Sequence, residues 1–210
     1  MVIWFQDALA ISMQEEDEIL ADGNPRYQTL EELETGIGFI MASPVDSGVL
    51  EMIVRRPAVD RREILIEARL DETAGLCGDR WTGRASFAEG GIIDDSINRG
   101  RQLTLMNSRV ISLLAQSTER WQLAGDQLFV DLNLSVSNLP AGARLKIGSA
   151  IIEITDHPHT GCSKFADRFG MDALNFVNDP ARSDLRLRGV NAMVIQSGMI
   201  RKGDTVLKCK

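Results

Sequence analysis

The sequence predicts a mostly β protein with a few helices, an α+β fold, on three observations. Leu50, Met52 and Val54 alternate with Glu51, Ile53 and Arg55, and Val130, Leu132, Leu134 and Val136 alternate with Asp131, Asn133, Ser135 and Ser137. Period two puts each set on opposite faces of a half-buried strand. Residues 145–154 read as two strands joined by a tight Gly148-Ser149 turn, a hairpin signal. Residues 192–195, 199–201 and 205–208 form further short strands, broken at Ser197-Gly198 and Gly203-Asp204.

Taken in order, the chain opens with a segment unlike the rest. It carries the acidic run Glu15-Glu16-Asp17-Glu18 and a capping box, Thr29 with Glu32, that starts a short helix. We divide the sequence into an N-terminal extension, 1–47, packing on a β-rich domain, 48–210. Helices interrupt the strands mainly at about 108–121 and 163–177. The first is capped by Asn107 or Ser108 and buries a stripe of Val110, Ile111, Leu113, Leu114 and Trp121. The second begins at Ser163, sets Phe165 and Phe169 on one face, and meets a stop at Gly170.

Composition narrows the function classes. With 44% hydrophobic and 25% charged residues the chain is an ordinary globular protein and not a disordered one. A formal charge of -7 argues against a nucleic-acid surface, because such surfaces gain affinity from Lys and Arg neutralising phosphates. Cys77, Cys162 and Cys209 are widely spaced, odd in number and without a C-x-x-C pair, which fits a reducing cytoplasm. No Lys or Arg precedes Arg26, so a secretory n-region is missing. No stretch approaches the length of a membrane span. A cytoplasmic location without membrane contact is the expectation.

The chemistry concentrates at Cys162. Both histidines of the chain, His157 and His159, lie within five positions of it, Lys164 follows it, and a helical run begins directly after. A helix start and nearby cations favour a thiolate. Cys162 is therefore a candidate nucleophile, sulfur carrier or metal ligand, with His159 and Lys164 assisting. A zinc set of His157, His159 and Cys162 lacks a fourth local ligand. The pairs Arg186 with Arg188 and Arg99 with Arg101 are candidates for cradling a small phosphate-like or pterin-type anion, since guanidinium is a planar bidentate donor. Asp79 and Arg80 are candidates for the pocket floor, and Asn133 for a hydrogen bond to the cysteine loop. There is no phosphate-binding G-x-x-x-x-G-K-[ST], no dinucleotide G-x-G-x-x-G and no Ser-His-Asp set.

Six pieces in order, Gly75-Leu76-Cys77-Gly78-Asp79-Arg80, Arg101-Gln102-Leu103-Thr104-Leu105, Leu132-Asn133-Leu134, Leu145-x-Ile147-Gly148, Gly161-Cys162-x-Lys164, and Arg188-Gly189-Val190 followed by Gly203-Asp204-x-Val206, resemble a MOSC domain over about 48–208. This is the module at the C-terminal end of molybdenum cofactor sulfurases. The resemblance implies a closed β-barrel with Cys162 at the mouth of a pocket that binds molybdenum cofactor and carries sulfur as a persulfide. It implies, as an alternative, a molybdenum-dependent reductase of N-hydroxylated compounds in which Cys162 ligates the metal. A non-catalytic interaction domain is the third reading. No pyridoxal phosphate lysine motif is present, so sulfur would come from a separate pyridoxal-phosphate-dependent cysteine desulfurase, and a reductase would need a redox partner. The chain departs from the family in reading Trp81 after Gly78-Asp79-Arg80, where His is common. It also has Glu89-Gly90-Gly91-Ile92-Ile93-Asp94 for a His-Gly-Gly-Pro-Asp-Arg segment, and Gly161 in place of a proline.

Overall fold

Residues 26–81 and 99–209 are described by the computed structural model. The segment Glu89 to Asp94 lies outside them. Among the described residues the longest strand is β1 (Ser47–Arg55), and the barrel closes on it. The remaining strands are β2 (Glu63–Leu65), β3 (Glu67–Asp71), β4 (Gly75–Leu76), β5 (Leu103–Asn107), β6 (Leu128–Asp131), β7 (Arg144–Ile147), β8 (Ala150–Ile154), β9 (Val190–Gln196), β10 (Gly198–Arg201) and β11 (Thr205–Lys208).

Seven of these run around the barrel in the order β11, β7, β8, β9, β5, β6, β1, and β1 pairs back to β11 through Ser47 to Val49. Closure leaves no open edge among the seven, which is the closed barrel expected. All neighbours are antiparallel except β5 and β6. That parallel pair needs a crossover, supplied by a helix, α3 (Ser108–Ala115), and a 3-10 segment (Thr118–Ala124). A second small sheet orders β10, β3 and β4. The inside of the barrel is packed with aliphatics that include Leu50, Leu105, Leu132, Ile152 and Val194.

Helices α1 (Leu30–Thr35), α2 (Ile37–Met41), α4 (Ser163–Phe169) and α5 (Met171–Asn178) join α3 in covering one side of the barrel. Their seam is aromatic, with Phe129, Phe165, Phe169 and Phe176 all buried. The Thr29–Glu32 capping box forms as expected. Helix α1 is tied to later parts of the chain: the Leu30 N–H donates to Asp172, and Arg182 pairs with Glu34.

Two sequence expectations are corrected. The period-two run at 130–137 is a strand only to Asp131; beyond it Leu132 and Leu134 stay buried, but the backbone turns. Asn133 is therefore a loop residue, its N–H on the Pro44 carbonyl and its side chain accepting from the Ser135 N–H. The helix at 108–121 ends at Ala115, because Gln116 turns left-handed (φ 63°), and Trp121 sits in the 3-10 segment. The helix from Ser163 stops at Gly170 as expected, and a second helix, Met171–Asn178, fills the rest of the 163–177 span. The hairpin at Gly148-Ser149 and the three C-terminal strands stand where the sequence puts them.

Candidate active site at Cys162

Strand β8 ends at Ile154 and hands the chain to a loop that reaches α4, with Cys162 as the residue capping that helix. No side-chain bond ties up the sulfur at the cap, and the residue is exposed. Beneath it Phe165 and Phe169 are buried, their rings 4.9 Å apart, and hold the helix to the core.

The loop is pinned at each step. Thr155 donates its N–H to the Asn191 carbonyl and its hydroxyl to the Gly100 carbonyl at 2.6 Å. The Asn191 amide donates to the carbonyls of both His157 and Pro158, at 3.1 Å each. Asn178, the last residue of α5, grips Gly161 twice: its oxygen accepts the Gly161 N–H at 2.8 Å and its nitrogen donates to the Gly161 carbonyl at 3.1 Å. A β-carbon on Gly161 would stand 2.6 Å from a Leu174 methyl. A proline there would collide and would lose the donor that Asn178 uses. The Gly161–Asn178 lock thus accounts for the glycine where the family resemblance expects proline.

Behind the loop lies a buried charge cluster. His159 Nε2 bonds Asp126 Oδ1 at 2.7 Å, and Arg188 donates from Nη1 to Asp126 Oδ2 at 2.6 Å and from Nη2 to the Ala124 carbonyl at 3.0 Å. The Asp126 side chain has no exposure. Burial by itself raises a carboxyl, but the charges of Arg188 and His159 outweigh it and bring Asp126 down to about 2. Burial, then the Arg188 charge, push His159 below its ordinary value against the pull of Asp126. The imidazole is therefore neutral at neutral pH, donates through Nε2, and keeps Nδ1 as its acceptor; Nδ1 has no partner among the described residues. Arg188 also stacks 4.9 Å from the Phe165 ring, and its Nε is fully shielded with no partner. Gly189 after it has φ 108°, and a β-carbon there would stand 2.1 Å from the Leu105 carbonyl oxygen. Only glycine accepts that turn, which aims Arg188 inward.

Cys162 opens onto a cleft of about 340 Å³ whose lining holds seven arginines and one lysine against one aspartate, Asp60. His159, Lys164, Arg80, Arg101 and Arg188, all expected at the site from sequence, line it. Asp79 stands one layer behind: its buried carboxylate holds Arg56 through both oxygens, at 2.9 and 3.1 Å, and Arg56 lines the cleft. Asp79 shapes the floor through Arg56.

Four expected residues are elsewhere. Arg186 donates to the Leu139 carbonyl at 2.6 Å and lines a second cleft, of about 240 Å³, on the other side of the cysteine loop. Asn133 lines a third hollow with Ile40, Met41 and Val110. His157 packs against Gly100 and lines the second cleft, not that of Cys162. The proposed zinc set is therefore not assembled, and among the described residues no three His, Cys, Asp or Glu gather as a metal site. Arg99 does not line the cysteine cleft either.

Sequence reasoning missed Asp126, Arg56, Arg62 and Arg168. Asp126 follows a glycine and looks like any turn residue. The arginines at 55, 56, 61 and 62 were a visible basic cluster in an acidic chain, and that was the available signal.

A β-barrel closed over an aliphatic core, with a solvent-open cysteine at its mouth beside a basic cleft, defines the class of protein. A family model described as MOSC domain matches residues 96–207. The chain belongs to the MOSC domain family, whose fold is that of the C-terminal domain of molybdenum cofactor sulfurases. Among solved structures the YUAD protein from Bacillus subtilis is similar at 17% identity and TM-score 0.51, over 76% of this chain and 94% of that one. A hypothetical protein is similar at 18% and 0.50, over 79% and 69%, and YiiM from Escherichia coli at 18% and 0.48, over 77% and 70%. At these identities the likeness concerns the fold. No curated protein matches the chain. Among the described residues no helix is long and apolar enough to cross a membrane.

Proposed function

We propose that the chain carries sulfur as a persulfide on Cys162 and delivers it to an oxyanionic ligand, molybdenum cofactor, held in the adjoining cleft. One observation carries the reading: an exposed thiol shares its cleft with arginines that make no ion pair among the described residues, Arg61, Arg62, Arg80, Arg101 and Arg168. A carrier thiol must be reachable by donor and acceptor in turn, and the acceptor's phosphate calls for guanidinium forks.

The residues fit that cofactor. The donor set is cationic, and Arg62 Nε is a shielded donor without a partner. A cleft of about 340 Å³ is within the range of small-molecule sites. Arg62, Arg80, Arg101 and Arg168 would hold the anionic groups. When bound, the cofactor supplies a thiophilic metal centre. The chain's own part is to present sulfur from a pinned loop, to keep a neutral His159 able to accept a proton at Nδ1, and to hold the anion. The sulfur comes from outside, from a cysteine desulfurase in a reducing cytosol.

Incubation with a cysteine desulfurase and cysteine is expected to add one sulfur atom to Cys162 and none to Cys162→Ser, read by intact mass and peptide mapping. Equal sulfur on the mutant removes the reading. Molybdenum that co-purifies with the wild type and is lost from folded Cys162→Ser, with no persulfide on either, replaces it by the metal-ligand reductase.

A further inference from the structure

We propose that the cleft beside Cys162 takes thiosulfate as a sulfur donor, so that the chain catalyses transfer of sulfane sulfur from this inorganic dianion. The proposal deepens the persulfide reading and rests on it, but it replaces the protein donor by a small oxyanion.

The cleft holds what this reaction needs and what a docking site for another protein's cysteine would not. Among the described residues Arg62 makes one hydrogen bond, a 3.5 Å approach of Nη1 to the Asp60 carbonyl, and its Nε is shielded without a partner. Arg168 spends Nη1 on the Leu123 carbonyl at 2.7 Å and meets no carboxylate among the described residues. Burial first, and then the charges of Arg168 and Arg56, disfavour the cationic form of Arg62. Guanidiniums crowded in this way repel one another, and a bound dianion relieves the repulsion. The single carboxylate in the lining, Asp60, opposes them in part. A tetrahedral oxyanion of a few atoms matches the forked donors of two arginines, and Cys162 opens onto the same space.

The step balances without an oxidant or reductant. Cys162 Sγ attacks the outer sulfur of thiosulfate; the new bond is the Cys162 S–S bond, the sulfur–sulfur bond of thiosulfate breaks, and its electron pair leaves on sulfite. Written with the thiol, Cys–SH and S2O3(2−) give Cys–SSH and SO3(2−), and the thiol proton ends on the persulfide. Charge that moves onto the departing sulfite does so among fixed cations, which is where such charge is most stabilised. A second nucleophile then takes the sulfur in a ping-pong cycle.

The test uses the full chain with sodium thiosulfate, and cyanide as acceptor. One sulfite per chain is expected in a single turnover, with one sulfur gained on Cys162, and thiocyanate on turnover, with sulfate as a competitive inhibitor. Arg62→Gln and Arg168→Gln should each raise KM for thiosulfate about tenfold or more, the loss of a charged hydrogen bond, with both variants still folded by circular dichroism. Arg144→Gln, whose partner is the surface residue Glu153, should leave KM unchanged. Persulfide from a cysteine desulfurase but no sulfite from thiosulfate overturns this proposal and leaves the carrier reading intact. Persulfide from neither source removes both. Sulfite release by Cys162→Ser, or unchanged KM in both arginine variants, also overturns it.

Discussion

The arginines around Cys162 and those on the rest of the surface behave differently in the same acidic chain. Away from the cleft most find carboxylates, Arg55 with Glu63, Arg109 with Asp131, Arg144 with Glu153 and Arg201 with Glu67, while Arg120 and Arg186 spend a donor on the Arg168 and Leu139 carbonyls. Around the cleft only the two deepest are paired, Arg56 with Asp79 and Arg188 with Asp126, and both carboxylates are fully buried. Arg61, Arg62, Arg80, Arg101 and Arg168 are left without one among the described residues. With a net charge of -7 the chain does not lack acids. The cleft therefore has two layers, an inner one whose charge is neutralised by the protein and an outer one whose charge faces the solvent. Crowded, uncompensated cations cost stability, and an anion is what offsets that cost.

The largest effect should come from breaking the inner layer. Asp126→Ala would leave Arg188 buried beside the Phe165 ring without its counter-charge and release His159. Removing one partner of a buried pair costs about 3–5 kcal/mol, whereas Glu153→Ala, which breaks an exposed pair, should cost about 0–1 kcal/mol. Chemical denaturation of the two variants against the wild type measures the difference. Equal losses would mean that the inner cluster is not the structural element described above.

The outer layer should show itself in kinetics rather than in stability. Cys162 is exposed while Cys77 and Cys209 are half-buried, so it should be alkylated first. The sharper expectation concerns reagent charge. Iodoacetate, relative to neutral iodoacetamide, should be favoured at Cys162 over the other two cysteines by on the order of tenfold at low salt, because a cleft lined by one sign of charge concentrates the opposite ion. The preference should shrink as salt is raised and in Arg62→Gln. A ratio equal at all three cysteines would show that the unpaired arginines create no usable field.

What the sequence could and could not reveal follows from the same two layers. Cys162, His159 and Lys164 lie within a few positions of one another, so chain neighbourhood alone announces them. The hairpin at Gly148-Ser149 and the helix from Ser163 are local too. Asp126 meets His159 across 33 positions and Arg188 across 62, and Arg62 comes from the turn after β1. Those meetings exist only because the barrel closes, and no spacing rule within one segment encodes closure. Asn133 failed for a related reason. Alternation of apolar side chains marks which residues face the core, and Leu132 and Leu134 do, but it cannot tell a strand from a turn that buries the same side chains. Arg186, two positions from Arg188, was carried along by proximity. Its left-handed backbone (φ 48°) turns it into the neighbouring cleft.

The smallest effect expected is on pH dependence, and it separates the two members that share Asp126. Burial and Arg188 depress His159 below its reference value of 6.5, so the unfolded chain binds a proton there before the folded chain does. Stability is then full above about pH 6.5 and declines as pH falls below it, with a slope that for one proton cannot exceed about 1.4 kcal/mol per pH unit. Asp126, held down to about 2, adds a separate decline. Its stabilisation is present above the ordinary carboxylate range and is lost as pH falls from about 4 toward 2. The charged groups bearing on the imidazole are Asp126, Arg188 and Arg56. His159→Gln keeps a donor for Asp126 but cannot titrate, so its stability curve should be flat between pH 7.5 and 5.5, spans taken as roughly one unit either side of an ordinary histidine. The decline below about pH 4 should remain. Denaturant midpoints measured across both windows decide the matter: a wild-type curve as flat as the mutant's between those limits would mean that His159 binds its proton equally in the folded and unfolded chain, and that burial and Arg188 do not hold it neutral.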